Sequence, residues 1–307
     1  MAAITVSKLQ KNYGSVNALN GISFSVQKGS LFGIIGADGA GKSSLMRILV
    51  TLTNSDSGQV SVLEKNVDSD YQFIRSQIGY MPQRFSLYQD LSVKENLLFF
   101  ADIYGVKSRQ RKERFEKLLS FSRLEQFQNR RAAHLSGGMK QKLALCCALI
   151  HTPDILILDE PTTGVDPVSR NEFWDILKDL RKQGITIVVS TPYMDEASMC
   201  EQLLILHKGE ILKNGTPEEL LHSYPYLIYR VGKDSGSLIF KTPSILPDGI
   251  KLLYPSSGMM HVVLQNRDIS KESVFSTVKS IFPEINFIES ITPGIEDLFI
   301  LLISERQ

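Results

Sequence analysis

The segment from residue 31 to residue 50 constrains the fold of this chain more than any other. Residues Leu31 to Ile35 form an apolar run typical of a buried strand, and residues 44 to 50 have the apolar periodicity of a helix. Between them, residues 36 to 43 read GADGAGKS and match the pattern G-x-x-x-x-G-K-S. A loop placed in this way turns successive backbone N–H groups toward a phosphate. The segment therefore predicts a phosphate-binding loop rather than a glycine-rich turn with a chance Lys-Ser pair.

The phosphate-loop motif predicts the roles of two side chains. Lys42 would reach the β- and γ-phosphates of a nucleotide, and the Ser43 hydroxyl would bind Mg²⁺. The positive end of the following helix adds to the attraction for phosphate. The residues assigned to nucleotide binding in this loop are Gly36, Ala37, Asp38, Gly39, Ala40, Gly41, Lys42, Ser43 and Ser44.

Composition excludes some classes of partner. The chain has 307 residues, enough for two domains, and its 34 Lys and Arg residues balance 33 Asp and Glu residues. No basic patch stands out, so a nucleic-acid role has no electrostatic support. Three cysteines without C-x-x-C spacing predict reduced core residues of a cytosolic protein. We see neither a leader sequence nor an apolar stretch of membrane-spanning length, which predicts at most a peripheral membrane role.

Two carboxylates end a second buried strand. Residues 154 to 161 read DILILDEP, an apolar run followed by Asp159 and Glu160. Carboxylates at the end of a buried strand are costly to bury unless a cation binds them or a proton neutralises them. Asp159 suits a water-mediated contact to Mg²⁺, and Glu160 suits the base that activates a water molecule. The alternative for such a pair is a solvated strand end.

Two further features suit a nucleotide. Ser136 is a good helix N-cap, and Gly137 and Gly138 expose bare backbone amides at the start of the same helix, which predicts a second anion site. Tyr13 stands in a turn before the strand pair, where its ring could stack on a base or pack on the core.

The remaining pattern predicts the fold class and the domains. Alternating strands and helices indicate an α/β fold with a largely parallel sheet, preceded by antiparallel strands and interrupted by a helical region at about 84–150. The character changes near residue 223, where short strands, one of them at Ser237 to Lys241, alternate with turns. We therefore predict one domain over 1–222 and a small α+β domain over 223–307 without a catalytic set.

An ordered set of motifs resembles the nucleotide-binding subunit of an ATP-binding-cassette (ABC) transporter. The set comprises Tyr13, the phosphate loop, Gln83, LSGGMKQ at 135–141, Asp159 with Glu160, and GVD at 164–166. LSGGMKQ is the most diagnostic, because other P-loop ATPases lack it. The MKQ ending, YMDEA at 193–197 and TPGIEDLF at 292–299 further resemble the daunorubicin-type drug-exporter branch. The likeness is strong over residues 1–222 and weak over the tail.

The resemblance implies a P-loop ATPase cassette: a RecA-like core with antiparallel β and helical subdomains. In this family two cassettes meet head to tail and enclose two ATP molecules. Carried onto this chain, it makes Tyr13 the adenine platform and Lys42 the phosphate clamp. It places Ser43, Gln83 and Asp159 around Mg²⁺ and makes Glu160 the hydrolytic base. It gives Ser136, Gly137 and Gly138 to the γ-phosphate held by the opposite subunit, and Asp166 to the loop that joins the two sites.

Two positions depart from the family pattern. Asp38 stands where Asn is commoner and adds a negative charge near the phosphates. Pro192 stands where the family has its switch histidine, and proline cannot donate a hydrogen bond to the γ-phosphate. Loss of one transition-state donor typically costs about 100- to 1,000-fold in rate. The chain's own site is therefore expected to be weakened, unless Thr191 or a water molecule takes the place of the histidine.

The expected function is that of an ATPase subunit that drives multidrug-type export through a separate membrane permease. It would act from the cytoplasmic face of the inner membrane, with a second cassette that we expect to be a different chain rather than a second copy. The alternatives are a regulatory nucleotide-binding subunit with little hydrolysis, and a soluble cassette acting outside transport. We further expect Arg84 to Tyr88 to form an exposed docking segment for the membrane subunit.

Overall fold

The computed structural model of the chain describes residues 1–84, 87–233, 246–256, 258–266 and 268–306. These residues form two compact units, Met1–Pro217 and Glu218–Gln307, called here the cassette unit and the accessory unit. The break falls at the start of helix Pro217–His222, whereas the change of composition placed it at the end of that helix. None of the helices in the described ranges combines the length and the apolar character needed to cross a bilayer.

The elements of the cassette unit alternate along the chain. Its strands are β1 (Ala2–Tyr13), β2 (Val16–Gln27), β3 (Leu31–Ile35), β4 (Ser57–Val62), β5 (Lys65–Asn66), β6 (Ile78–Met81), β7 (Ile155–Asp159), β8 (Thr186–Thr191), β9 (Gln202–His207) and β10 (Glu210–Gly215). Its helices are α1 (Lys42–Leu49), α2 (Tyr71–Gln77), α3 (Val93–Ile103), α4 (Ser108–Ser122), α5 (Gly137–Leu149), α6 (Pro167–Lys182) and α7 (Met194–Ala197), with 3₁₀ turns at Glu125–Phe127 and Ala132–His134.

A six-stranded sheet forms the centre of the cassette unit, in the order β10-β9-β3-β8-β7-β6. All neighbours are parallel except β10, which pairs antiparallel with β9. Every residue of β3, β7 and β8 is buried, as expected for strands covered on both faces. Because parallel strands end at the same edge, the segments that follow β3, β6, β7 and β8 are brought together there.

The antiparallel strands before the phosphate loop form a separate four-stranded sheet, in the order β2-β1-β4-β5. Ile22, Phe24 and Val26 of β2 are buried while Ser23 is exposed, which is the alternation expected of a strand with one buried face. Together with the parallel sheet and the helices, this sheet confirms the predicted α/β cassette fold.

Helices α3, α4 and α5 share a hydrophobic cluster of their own. A capping box begins α3: the Ser92 hydroxyl accepts from the Glu95 N–H, and the Glu95 carboxylate accepts from the Ser92 N–H. Leu87 belongs to this cluster and is only 7% exposed, so the expectation that it forms part of an exposed docking segment is wrong. Phe85 and Ser86 of the same segment lie outside the described residues.

The accessory unit is an α+β unit with one antiparallel sheet in the order β12-β13-β11-β14. Helix α8 (Pro217–His222) leads into it from the boundary. Its strands and further helices are β11 (Ile228–Gly232), β12 (Ile250–Ser256), β13 (Met259–Leu264), α9 (Lys271–Ile281), β14 (Phe287–Ile291) and α10 (Ile295–Ser304). Val274 and Val278 of α9 join the core formed by the sheet. The strand predicted at Ser237 to Lys241 lies outside the described residues.

Candidate functional site

The shared edge of the parallel strands opens into a cavity of about 420 Å³. Residues from the phosphate loop, from the end of β7, from the segment after β6 and from the β1–β2 hairpin line it. They are Tyr13, Val16, Ala18, Asp38, Gly39, Ala40, Gly41, Lys42, Ser43, Ser44, Gln83 and Glu160. The volume falls in the range of small-ligand pockets. The fold therefore brings predicted nucleotide-binding residues from four separate segments into one place.

The phosphate loop needs glycine at its junction with the helix. Gly41 has φ +108° and precedes α1, and a Cβ on it would lie 2.4 Å from the Ala18 carbonyl oxygen. An L-residue is therefore excluded by both conformation and space. Helix α1 starts at Lys42, so its free N–H groups face the cavity end of the loop.

Lys42 is the buried cation of the site. Its Nζ donates to the carbonyl oxygens of Gly36 at 2.8 Å and Ala37 at 3.2 Å, and it lies 3.1 Å from Oε1 of Glu160. The side chains of Lys42 and Glu160 are 3% and 6% exposed. The predicted phosphate clamp and the predicted base are thus in direct contact, which the sequence did not show. Gly36 and Ala37 contribute through their carbonyl groups and do not line the cavity.

Both carboxylate oxygens of Glu160 have partners. Its Oε2 accepts from Nε2 of Gln83 at 2.9 Å and from the Thr163 hydroxyl at 3.4 Å, while Oε1 faces Lys42. The residue has φ +49°, a conformation that costs on the order of 1 kcal/mol or more for a residue with a Cβ. The strain and the bonds together fix the carboxylate in the cavity wall, beside Lys42.

Asp159 lies next to Glu160 but does not line the cavity. It is buried, and its Oδ1 accepts from the Ser190 hydroxyl at 2.6 Å. Ser190 in turn accepts from the Glu160 N–H at 3.0 Å, so neighbouring strand β8 fixes both acids. Burial, with a further contribution from the negative charge of Asp159, raises the pKa of Tyr80 to about 12. The Tyr80 phenol is therefore neutral at physiological pH.

The hairpin between β1 and β2 supplies the aromatic wall of the cavity. Tyr13 ends β1 and is 45% exposed, so its ring is available to a planar ligand. Val16 and Ala18 of β2 line the same cavity, and the sequence analysis did not assign them. Their position directly after Tyr13, in a hairpin that precedes the phosphate loop, was the signal that could have found them. Lys11 lies 5.4 Å from the Tyr13 ring centroid and is paired with Asp56.

The second predicted anion site is separate from this cavity. Ser136 caps α5 and accepts from the Met139 N–H at 3.3 Å, as predicted. Gly137 and Gly138 begin the helix, and a Cβ on Gly138 would lie 2.5 Å from the side chain of Ser169. None of these three residues lines the cavity that contains Lys42 and Glu160.

Pro192 follows β8 at the same sheet edge. The Thr191 hydroxyl before it donates to Oε2 of Glu196 at 2.5 Å and accepts from the Tyr193 N–H at 3.0 Å. Oε1 of the buried Glu196 accepts from the Thr162 hydroxyl at 2.7 Å. The single proton of Thr191 is thus already used within a buried network.

Divalent-cation ligands at this edge would be oxygen atoms. Ser43 offers a hydroxyl, Gln83 an amide oxygen and Asp159 the carboxylate oxygen Oδ2, which suits Mg²⁺. The Gln83 amide nitrogen is bonded to Glu160, which leaves its oxygen as the remaining group. Within the part of the chain that the structure describes, no cluster of three or more His, Cys, Asp or Glu side chains offers an alternative metal centre.

Comparisons with known proteins identify the family of this chain. The family model described as ABC transporter matches residues 19–163. The chain is 37% identical over 311 residues to the "Probable multidrug ABC transporter ATP-binding protein YbhF" of Escherichia coli (strain K12), covering 98% of this chain and 52% of that protein. It therefore spans about half the length of that relative.

Two further matches extend over most of the matched protein. The chain is 32% identical over 303 residues to the "Nod factor export ATP-binding protein I" of Burkholderia orbicola (strain AU 1054), covering 98% of this chain and 97% of that protein. A solved structure titled "Structure of ATP binding subunit of ABC transporter" matches with a TM-score of 0.65 and 30% identity, covering 72% of this chain and 93% of that one. The chain belongs to the ABC transporter family of ATP-binding proteins.

Proposed function

We propose that this chain is the ATP-binding subunit of an exporter of the daunorubicin-type branch. It binds and hydrolyses ATP in a head-to-tail pair of cassettes and thereby drives transport through a separate membrane subunit. The observation that carries this proposal is the meeting of Lys42, Glu160, Gln83 and Tyr13 in one cavity. The proposed location is the cytoplasmic face of the membrane.

The residues that line the cavity have separate roles in phosphoryl transfer. Lys42 moves its charge from Glu160 and the loop carbonyls to the β- and γ-phosphates. Glu160, released from Lys42 and still bonded to Gln83 and Thr163, accepts the proton of the attacking water. Ser43, Gln83 and, through a water molecule, Asp159 would hold Mg²⁺, which would supply positive charge beside the phosphate oxygens.

The chain's own site is weak in hydrolysis, because Pro192, the residue directly after β8, has no donor for the γ-phosphate. The hydroxyls of its neighbours Ser190 and Thr191 donate to Asp159 and Glu196 at 2.6 and 2.5 Å. This arrangement supports a heteromeric pair over two copies of this chain: a second cassette with its own histidine would be completed by Ser136, Gly137 and Gly138. The same observation favours a second candidate function, a regulatory subunit that binds nucleotide with little hydrolysis.

Tyr13→Ala is expected to weaken ATP binding about 5- to 100-fold, because stacking on one base is worth ~1–3 kcal/mol. Binding of inorganic triphosphate should not change, since the ring contacts only the base. Tyr13→Phe keeps the ring and serves as the matched control. Equilibrium titration of the three proteins with both compounds measures the effect, and equal losses for ATP and triphosphate would remove Tyr13 from the base-binding role.

The docking surface for the membrane subunit is proposed at an exposed groove instead of at Leu87. The groove has a volume of about 260 Å³ and runs between the parallel-sheet core and helix α3. Leu52 and Ile103 on its two sides are 58% and 61% exposed. Tyr80 lines the groove and stands shortly before Gln83, which bonds to Glu160. A helix seated there would contact the strand that leads to the hydrolytic site.

Leu52→Glu and Ile103→Glu are expected to move this chain from the membrane fraction of its own cells to the supernatant, because each buries a charge under the docked helix. The control is Leu98→Glu, an exposed apolar position on the same helix α3 outside the groove. ATP binding is measured on all variants to verify folding. Membrane association that survives both groove substitutions, or that Leu98→Glu also abolishes, would contradict the assigned surface.

For the accessory unit we propose a supporting role in assembly or regulation. The hydrolytic residues Lys42, Gln83 and Glu160 all lie in the cassette unit, which supports this division.

A further inference from the structure

The accessory unit contains a cavity of its own, with a volume of about 430 Å³. Residues from β11, β12, β13 and β14 and from the turn before α10 line it. This volume matches that of the nucleotide cavity in the cassette unit and is large enough for a small organic ligand. The sequence analysis expected no chemistry in this unit, because its polar residues are far apart in the chain.

Four polar residues form a row across the sheet under this cavity. In the strand register Tyr254 faces His261, His261 faces Arg230, and Arg230 faces Glu289. Register partners on adjacent strands point to the same face of a sheet. Arg230 and His261 both line the cavity, so the row presents a guanidinium and an imidazole to it.

The Asp297 carboxylate also lines the cavity, and it already has three hydrogen-bond partners. Asp297 of α10 accepts from the Tyr254 hydroxyl at 2.6 Å, from the Gly294 N–H at 2.6 Å, and pairs with Nδ1 of His261 at 2.7 Å. Burial alone would raise the pKa of Asp297, but the bonds from His261, Tyr254 and Gly294 outweigh burial and hold the pKa below its usual value. Asp297 therefore remains a carboxylate whose lone pairs are directed at these donors.

The Arg230 guanidinium supplies hydrogen-bond donors to the cavity wall. Nη2 of Arg230 donates to Oε2 of Glu289 at 2.6 Å. The Glu289 side chain is 55% exposed. The Arg230 side chain is 39% exposed, and its Nη1 group has no hydrogen-bond acceptor among the described residues. The guanidinium therefore keeps accessible donors that suit an acceptor group supplied by a ligand. Met259 and Ile291 add apolar surface to the same cavity.

We propose that this cavity binds a small organic acid, whose carboxylate pairs with the Arg230 guanidinium and whose apolar body packs against Met259 and Ile291. Arginine is suited to this role because its planar donors match the two oxygens of a carboxylate. His261, fixed through Nδ1 by Asp297, presents its other ring nitrogen beside the guanidinium and orients the polar end of the ligand. The accessory unit thereby has a binding site that is independent of ATP.

The test uses benzoate as the acid and benzamide as its uncharged analogue, with binding to the full chain followed by amide NMR. Benzoate is expected to shift resonances near residues 230, 261 and 297 in a saturable way, and benzamide should bind about tenfold more weakly or worse. Arg230→Gln should weaken benzoate by about tenfold or more. Lys279→Gln removes a positive charge elsewhere in the same unit, on α9, and should leave binding unchanged.

A second variant is predicted to act in the opposite direction. Glu289→Gln removes the exposed carboxylate that competes for Arg230, so benzoate should bind about three- to tenfold more tightly. This gain cannot arise from loss of folding. Equal binding of benzoate and benzamide, unchanged binding to Arg230→Gln, weaker binding to Glu289→Gln, or no shift near Arg230 with either compound would each overturn the proposal.

Discussion

Lys42→Ala is expected to lower the affinity for ATP about 10- to 100-fold. The Lys42 ammonium is buried in the wall of the cavity and forms charge-assisted hydrogen bonds, each of which is typically worth ~1.5–3 kcal/mol. In the proposed mechanism the same group moves to the phosphates, so its removal takes away a charged contact at the centre of the site. Equilibrium titration of the purified chain with ATP in the presence of Mg²⁺ measures the loss.

The Lys42 substitution has a second effect that needs a control. Without Lys42, Glu160 is a buried carboxylate with only Gln83 and Thr163 as partners, and an unpaired buried charge can destabilise the site by itself. The double variant Lys42→Ala/Glu160→Gln removes that charge. Its affinity for ATP should remain low, since the phosphate contact is still missing. Full recovery of ATP binding in the double variant would show that Lys42 acts through Glu160 and not on the phosphates.

Pro192→His is expected to raise ATP turnover about 100-fold or more, because it restores one donor to the transition state and such donors are typically worth about 100- to 1,000-fold. The position lies directly after β8, at the same sheet edge as Asp159 and Glu160. The residue is half-buried, so the substitution does not place an imidazole inside the closed core. The rate of phosphate release by the purified chain measures the gain.

Two variants separate the histidine from other effects of removing proline. Pro192→Ala relaxes the backbone in the same way but adds no donor, so its turnover should stay at the parent level. Pro192→His/Glu160→Gln adds the donor but lacks the base, so its turnover should fall below that of Pro192→His. A gain in Pro192→Ala as large as the gain in Pro192→His would assign the effect to the backbone and contradict the missing-donor argument.

The parts of the fold that the sequence predicted depend on local signals. The phosphate loop and the N-cap at Ser136 each use residues only a few positions apart, so their chemistry can be read from the chain directly. Helix α6 likewise has a local start signal, since it begins at Pro167 and the Asp166 side chain before it accepts from the Ser169 N–H.

The parts that the sequence did not predict depend on contacts between distant segments. The Lys42–Glu160 contact follows from the strand order, which places β3 and β7 on either side of β8. Leu87 has no periodic pattern of its own, yet it joins the hydrophobic cluster shared by α3, α4 and α5. The cavity beside Arg230 and His261 needs residues that only the antiparallel register brings together. Pairing order and register are tertiary properties, and local periodicity does not fix them.

We infer that this site binds ATP through an intact phosphate loop but hydrolyses it poorly because position 192 lacks a donor. ATP binding and phosphate release are therefore measured in the same preparation of the parent chain and of Pro192→His. We expect saturable, Mg²⁺-dependent binding of similar affinity in both proteins, with slow phosphate release in the parent and release about 100-fold faster in the variant. Brisk phosphate release by the parent that the substitution does not raise would contradict it.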